Sequence, residues 1–167
     1  VQRRSKLDVA ANIAIILVCI IASIVLVRNH LMTPEAPGAA HRGERLAALG
    51  RLVPEGADRA LVLVVQPGCH FCTESLPFYK RLLDQRNQRG SGVKVIAAVP
   101  QAADAAAEEK SFAAAGAHPD AFSPLDFQSA KVPGTPTLML VDRAGKVLDV
   151  WVGKLDGGRE DEVLKKL

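Results

Sequence analysis

Hydrophobic positions follow two different patterns along this chain. Residues 9–27 form an unbroken apolar block, 19 residues without a charge in which only Asn12 and Ser23 are polar. Ile, Val and Leu dominate it, and no Pro or Gly interrupts it. A core helix of that length normally keeps a polar face, and this block has none. As a helix it would rise about 28 Å, close to the hydrocarbon thickness of a bilayer. The pattern predicts a transmembrane anchor over 9–27, preceded by a tail at 1–8. A cleaved signal peptide would have a shorter apolar region and a small-x-small site after it. Here the block runs into Val27-Arg28-Asn29-His30, so it reads as an uncleaved anchor.

The pattern then changes. Thr33 to Gly38 holds two prolines and a glycine, the composition of a linker. Residues 41–49 predict a short helix with Leu46 and Leu49 on one face, so 28–57 reads as linker plus short helix. From 58 to 167 the periods alternate as in a globular α/β domain. Leu61 to Val65 is a continuous β-branched run, which suits a strand buried on both faces. Leu76, Tyr79, Leu82 and Leu83 recur at helical spacing from Cys72 to about Arg89, with Pro77 expected to kink or restart that helix. Val93 to Val99 predicts a second strand, and Ala102 to Ala115 a helix ending at Gly116. Residues 117–131 read as irregular. Thr137 to Val141 and Val147 to Val152 predict a hairpin around Asp142-Arg143-Ala144-Gly145. Gly157 to Leu167 predicts a closing amphipathic helix. The order is β-α-β-α, a hairpin, then α, an α/β fold with a mixed sheet.

Charge narrows the partners. The net charge is +3, but without Arg3, Arg4, Lys6 and Asp8 the chain has 18 basic against 17 acidic residues. A near-neutral domain without a basic run gives no case for nucleic acid. Arg3, Arg4 and Lys6 before the block, against Arg28 and Arg42 after it, favour a cytoplasmic N-terminus. The domain would then lie on the periplasmic or extracytoplasmic side of an inner membrane, on a single-pass anchor in the lipid bilayer. All seven aromatic residues lie beyond residue 70, so no aromatic belt fixes the depth of the block.

The chemistry lies in Cys69-His70-Phe71-Cys72. One Cys-x-x-Cys admits three readings. Zinc normally needs a second ligand pair, and neither a second pair nor a spaced histidine is present, so no metal is expected. A structural disulfide is the second reading. A redox dithiol is the third, favoured by context: buried strand, turn, Cys-x-x-Cys, helix. Cys69 would sit at the helix N-terminus, where free N–H groups and the positive dipole end stabilise a thiolate. Cys72, one turn on, would resolve a mixed disulfide. His70, if protonated, adds to thiolate stabilisation, and its alternative reading is a solvated loop residue. Cys19 reads as a small apolar filler.

Residues 58–167 resemble the thioredoxin superfamily. The resemblance rests on Cys69-His70-Phe71-Cys72, on Pro77 in the following helix and on Val132-Pro133-Gly134-Thr135-Pro136-Thr137, which looks like the family's cis-proline loop. Asp142 to Lys146, Trp151-Val152-Gly153 and the last helix follow the same pattern. With the anchor, the chain looks most like the TlpA/ResA-like membrane-anchored thiol-disulfide oxidoreductases. The resemblance implies a thioredoxin-like fold, catalytic Cys69 and Cys72, a substrate dock at Thr135 and Pro136, and tuning by His70 and Phe71. It implies no cofactor, and as partners protein thiol or disulfide substrates and a membrane electron donor or membrane complex. Two departures stand out. Gly68 replaces the tryptophan usual before the first cysteine, and the positions of the family's buried acid hold Leu63 and Ser75. The alternative is therefore a non-catalytic thioredoxin-like subunit or assembly factor of a membrane complex.

Overall fold

The computed structural model describes residues 12–23 and 38–167. The chain divides into two compact units, one ending at Glu35 and one running from Ala36 to Leu167. In the first, residues 12–23 are helical (α1), with the isoleucine side chains half or more exposed. These twelve residues cover about 18 Å. Both ends of the expected span 9–27 lie outside the described residues, as do the tail at 1–8 and the linker at 28–37. Among the described residues no helix is long and apolar enough to cross a membrane.

The second unit is built on a five-stranded mixed sheet. Strand β1 (Arg59–Val64) lies at its centre, between β2 (Lys94–Val99) and β4 (Thr137–Asp142). Strand β3 (Ala121–Pro124) extends the β2 side and β5 (Val147–Val152) the β4 side, giving the order β3-β2-β1-β4-β5. β1, β2 and β3 are parallel, and β4 and β5 pair antiparallel. The period-2 geometry of a strand explains the apolar run of β1. Leu61, Leu63 and Val65 face one core, and Ala60, Val62 and Val64 face the other.

Helix α3 (His70–Arg89) covers the first face through Phe78, Tyr79, Leu82 and Leu83, joined by α5 (Gly157–Lys166) through Val163 and Leu164. Helix α4 (Ala105–Ala114) sends in Phe112, whose ring stacks on Tyr79 at 5.6 Å and meets Phe122 edge-on at 5.5 Å. The second face is covered by Ala40, Leu46, Leu49 and Val53, together with Leu125 and Ala130.

The structure corrects several expectations. Residues 117–131 are not irregular throughout. Ala121–Pro124 forms the edge strand β3, whose four residues, only Phe122 and Ser123 of them half-buried, give too short a pattern to read. Pro77 does not restart its helix, since α3 runs through it from His70 to Arg89. Only Ala47–Gly50 (α2) is helical in the stretch read as helix from 41 to 49. Arg45 instead bridges to Lys146, and the main chain of Gly43 and Leu46 bonds to Val147 and Gly145. Tertiary pairing with the hairpin there overrides local helix preference. These contacts hold the segment in the compact unit Ala36–Leu167. A 3₁₀ turn (Ala102–Asp104) precedes α4, closed by reciprocal capping between Gln101 and Asp104.

Candidate active site

Strand β1 delivers the chain to the site. Val65 extends it with a bond to Ala98, and Gln66-Pro67-Gly68 turns the backbone into α3. Gly68 has φ +75°, the left-handed region that disfavours a side chain. A tryptophan before the first cysteine would be strained in that conformation.

Cys69 is the N-cap of α3. Its Sγ accepts the Cys72 N–H at 3.1 Å, and Thr73 N–H bonds to its carbonyl. The sulfur therefore stands where unpaired helix N–H groups and the dipole favour negative charge. Cys69 and Cys72 are disulfide-bonded with a Cα separation of 5.2 Å. Cys69 is half-buried, whereas Cys72 is only 4% exposed. An incoming sulfur meets Cys69 first, which gives the two thiols different roles on access alone.

The register of β1 against β4 brings the second motif to the same end of the sheet. Val64 pairs with Thr137, so Pro136 lies beside the point where β1 gives way to the Cys-x-x-Cys turn. The Thr135–Pro136 peptide is cis, as the resemblance implied. Pro136 is buried, and its carbonyl accepts from Gly153 at 2.8 Å. Thr135 is half-buried. Thr137 Oγ1 donates to the Gly134 carbonyl at 2.7 Å and closes the loop.

His70 and Phe71 both face solvent, Phe71 with 54% of its surface exposed, and their rings lie 5.6 Å apart. His70 Nε2 is 3.1 Å from Glu74, and Lys154 Nζ donates to the other oxygen of Glu74 at 2.7 Å. The Lys154 hydrogen bond is the chief reason that the Glu74 carboxyl is held below its usual range. Glu74 is thus committed to His70 and Lys154 on the surface. Leu63 is fully buried, and Ser75 Oγ is spent on the Phe71 carbonyl at 2.7 Å.

One acid escaped the sequence reading. Glu108, on α4, is only 8% exposed and lines a cleft of about 70 Å³ together with Gln66, Gly68, Cys69, Cys72 and Ser111. Burial pushes its carboxyl above the usual range, and the negative charge of Asp104 adds to this. In sequence Glu108 sits in an Ala-rich stretch beside Glu109 and Lys110, which reads as a solvated helix face. The available signal was Phe112, four residues on, which marks the inward side of α4. Among the described residues no group of three or more His, Cys, Asp or Glu is placed to hold a metal.

No protein-family model matches this chain, and no curated protein matches it. Solved structures do. A thiol-disulfide isomerase from Corynebacterium glutamicum aligns with TM-score 0.52 at 19% identity, over 77% of this chain and 88% of that one. StoA from Bacillus subtilis aligns with TM-score 0.51 at 14% identity, over 66% and 85%. A secreted Mycobacterium tuberculosis disulfide oxidoreductase, homologous to Escherichia coli DsbE, aligns with TM-score 0.50 at 14% identity, over 66% and 82%. At these identities the likeness shows the fold, which is thioredoxin-like.

Proposed function

We propose that this chain is a thiol-disulfide oxidoreductase acting on protein dithiols or disulfides through Cys69 and Cys72. The observation that carries the reading is the paired placement of the two cysteines. A half-buried Cys69 caps the helix and a shielded Cys72 is bonded to it one turn later. In the reducing direction the Cys69 thiolate attacks one sulfur of a substrate disulfide. The other sulfur leaves as a thiolate, and a Cys69–substrate mixed disulfide remains. Cys72 then attacks Cys69 Sγ, expels the second substrate thiolate and leaves the Cys69–Cys72 disulfide. Two electrons pass to the substrate, which takes up two protons. The oxidising direction is the same sequence reversed. The cis-proline loop, at the same end of the sheet, supplies the backbone edge beside which a substrate segment docks.

The reading extends to location. The apolar block at 9–27 anchors the chain in an inner membrane, and the basic N-terminal flank keeps residues 1–8 cytoplasmic. The catalytic domain then works on the extracytoplasmic side, where disulfides persist, with a membrane electron donor or complex as partner. The described helix over residues 12–23, with its exposed isoleucines, is compatible with that anchor.

The full chain in detergent tests the chemistry. Cys72→Ser should accumulate a mixed disulfide with a protein substrate, and Cys69→Ser should abolish exchange. Exchange that survives Cys69→Ser overturns the reading, and so does a Cys72→Ser chain that traps nothing. That last outcome, together with cysteine-independent co-purification of membrane proteins, would favour the non-catalytic subunit. A thiol-labelling map from outside intact cells tests the orientation. After reduction of the Cys69–Cys72 disulfide, labelling of Cys69 by an impermeant reagent only once the cells are permeabilised would reverse it.

A further inference from the structure

The dithiol cleft contains a carboxyl group with no assigned role. Glu108 enters from α4, across the cleft from the helix that carries both cysteines. Its residue is 8% exposed, and the cleft it lines is small. The titratable groups around it are Cys69, Cys72 and Tyr79 from α3, and Asp104 from the start of its own helix. None of these offsets a carboxylate. Nearby, the Tyr79 hydroxyl is fully buried without a hydrogen-bond partner among the described residues. Lys154 and His70 are taken by Glu74 on the surface.

Cys72 poses the complementary problem. It is shielded from water, yet it must lose a proton before it attacks the mixed disulfide. A bulk hydroxide or buffer base reaches a buried thiol poorly, so a carboxylate sharing its cleft is the base available. Resting on the oxidoreductase reading, we infer that Glu108 is the proton acceptor for Cys72. In the resolving step Glu108 takes the Cys72 proton, directly or through one water. The Cys72 sulfur bonds to Cys69 Sγ, and the substrate sulfur leaves as a thiolate. Glu108 then returns the proton to that thiolate or to solvent and ends the cycle as the carboxylate it began as. In the oxidising direction Glu108 gives the proton to Cys72 as that thiol is released. Burial suits the role, since a carboxyl pushed upward lies nearer in proton affinity to a thiol than an exposed one does.

The test uses the reduced full chain and an excess of a chromogenic aromatic disulfide. The first equivalent of coloured thiol reports attack by Cys69, and the second reports resolution by Cys72. Glu108→Gln should slow the second release at least about tenfold at pH 7, at the low end of general-base effects. The first release should stay within about twofold. The inflection that Glu108 gives to the pH profile of the second release should vanish in Glu108→Gln and return, shifted, in Glu108→Asp. An unchanged second release overturns the inference. So does equal slowing of both releases with the profile shape kept, which would mean a packing role. If Glu108→Gln does not fold, the wild-type chain decides by itself. Its second release should follow a pH profile with an inflection above the ordinary glutamate range that the first release lacks. Identical profiles for the two releases overturn the inference. Because the reagent is a small molecule, these results separate from failure of the oxidoreductase reading. That failure would appear as normal release of both equivalents with no protein ever trapped by Cys72→Ser.

Discussion

Replacing Tyr79 with Phe should stabilise this protein. Tyr79 is fully buried on α3, stacked against Phe112 at an interplanar angle of 14°. Among the described residues its hydroxyl has no hydrogen-bond partner. The neighbouring Ser75 hydroxyl lies close enough to temper the phenol's titration but donates to the Phe71 carbonyl at 2.7 Å. Burial dominates and pushes the phenol far above its ordinary range. A buried hydroxyl without a partner costs about 1–3 kcal/mol of lost hydration. Tyr79→Phe removes that cost and keeps the ring, so the net gain should be about 1–2 kcal/mol after allowance for the small void left. The folded unit runs from Ala36 to Leu167. At about 2.1 cal/mol/K of unfolding entropy per residue, each kcal/mol should raise Tm by roughly 3–4 °C for a unit of this size. Differential scanning calorimetry of oxidised wild type and Tyr79→Phe, run side by side, should show an increase of about 3–7 °C. Tyr79→Ala is the control and should lose about 3–5 kcal/mol, because it deletes the ring as well. A lowered Tm in Tyr79→Phe would refute the reasoning. It would mean that the hydroxyl is bonded in solution, to Glu108 or to a buried water.

Other expectations follow from the same structure. Glu108 is an acid whose folded pKa is raised, mainly by burial. The folded state therefore binds more protons than the unfolded state between the ordinary and the raised value, and stability falls as pH climbs through that window. Glu108→Gln should remove this loss, so denaturant midpoints should favour the variant at pH 8 more than at pH 4, and a pH-independent difference would contradict the burial. Glu74, lowered chiefly by its Lys154 hydrogen bond, has the opposite sign. Its contribution is present above the unfolded carboxyl pKa and disappears as pH falls through the lowered value, and Lys154→Met should flatten that acid limb in a pH titration of Tm. Gly145 has φ +74°, and a Cβ there would collide with the Leu46 carbonyl. Gly145→Ala should cost about 2–4 kcal/mol and open residues 38–57 to limited proteolysis, whereas an unchanged digest would show that the segment docks without that contact. Asp120 pairs with the buried Arg86 and accepts Val95 N–H at 2.7 Å. Asp120→Ala should cost about 2–4 kcal/mol by calorimetry, somewhat below a fully buried pair because Asp120 is partly exposed.

The local pattern of the sequence already held the main elements of the site. The β-branched run at Leu61 to Val65, the turn at Gly68 and the 3.6-residue spacing after Cys72 are short-range consequences of backbone geometry, and they place Cys69 at a helix N-terminus. The hairpin around Gly145 and the closing helix were legible for the same reason. Register and packing between distant segments decided the rest. Parallel pairing of Ala121–Pro124 with β2 depends on a neighbour more than twenty residues away, so four residues of weak alternation became an edge strand. Residues 41–46 gave up a helix because the hairpin offered their backbone better partners. Glu108 shows the division most clearly. An acid in an Ala-rich helix looks solvated when only its own neighbours are counted. Burial depends on which side of α4 meets α3, and Phe112 stacking on Tyr79 fixes that side. The sequence determined which thiols are available and how they are spaced. The tertiary structure decided which carboxyl stands beside them, because proximity across elements is a property of packing.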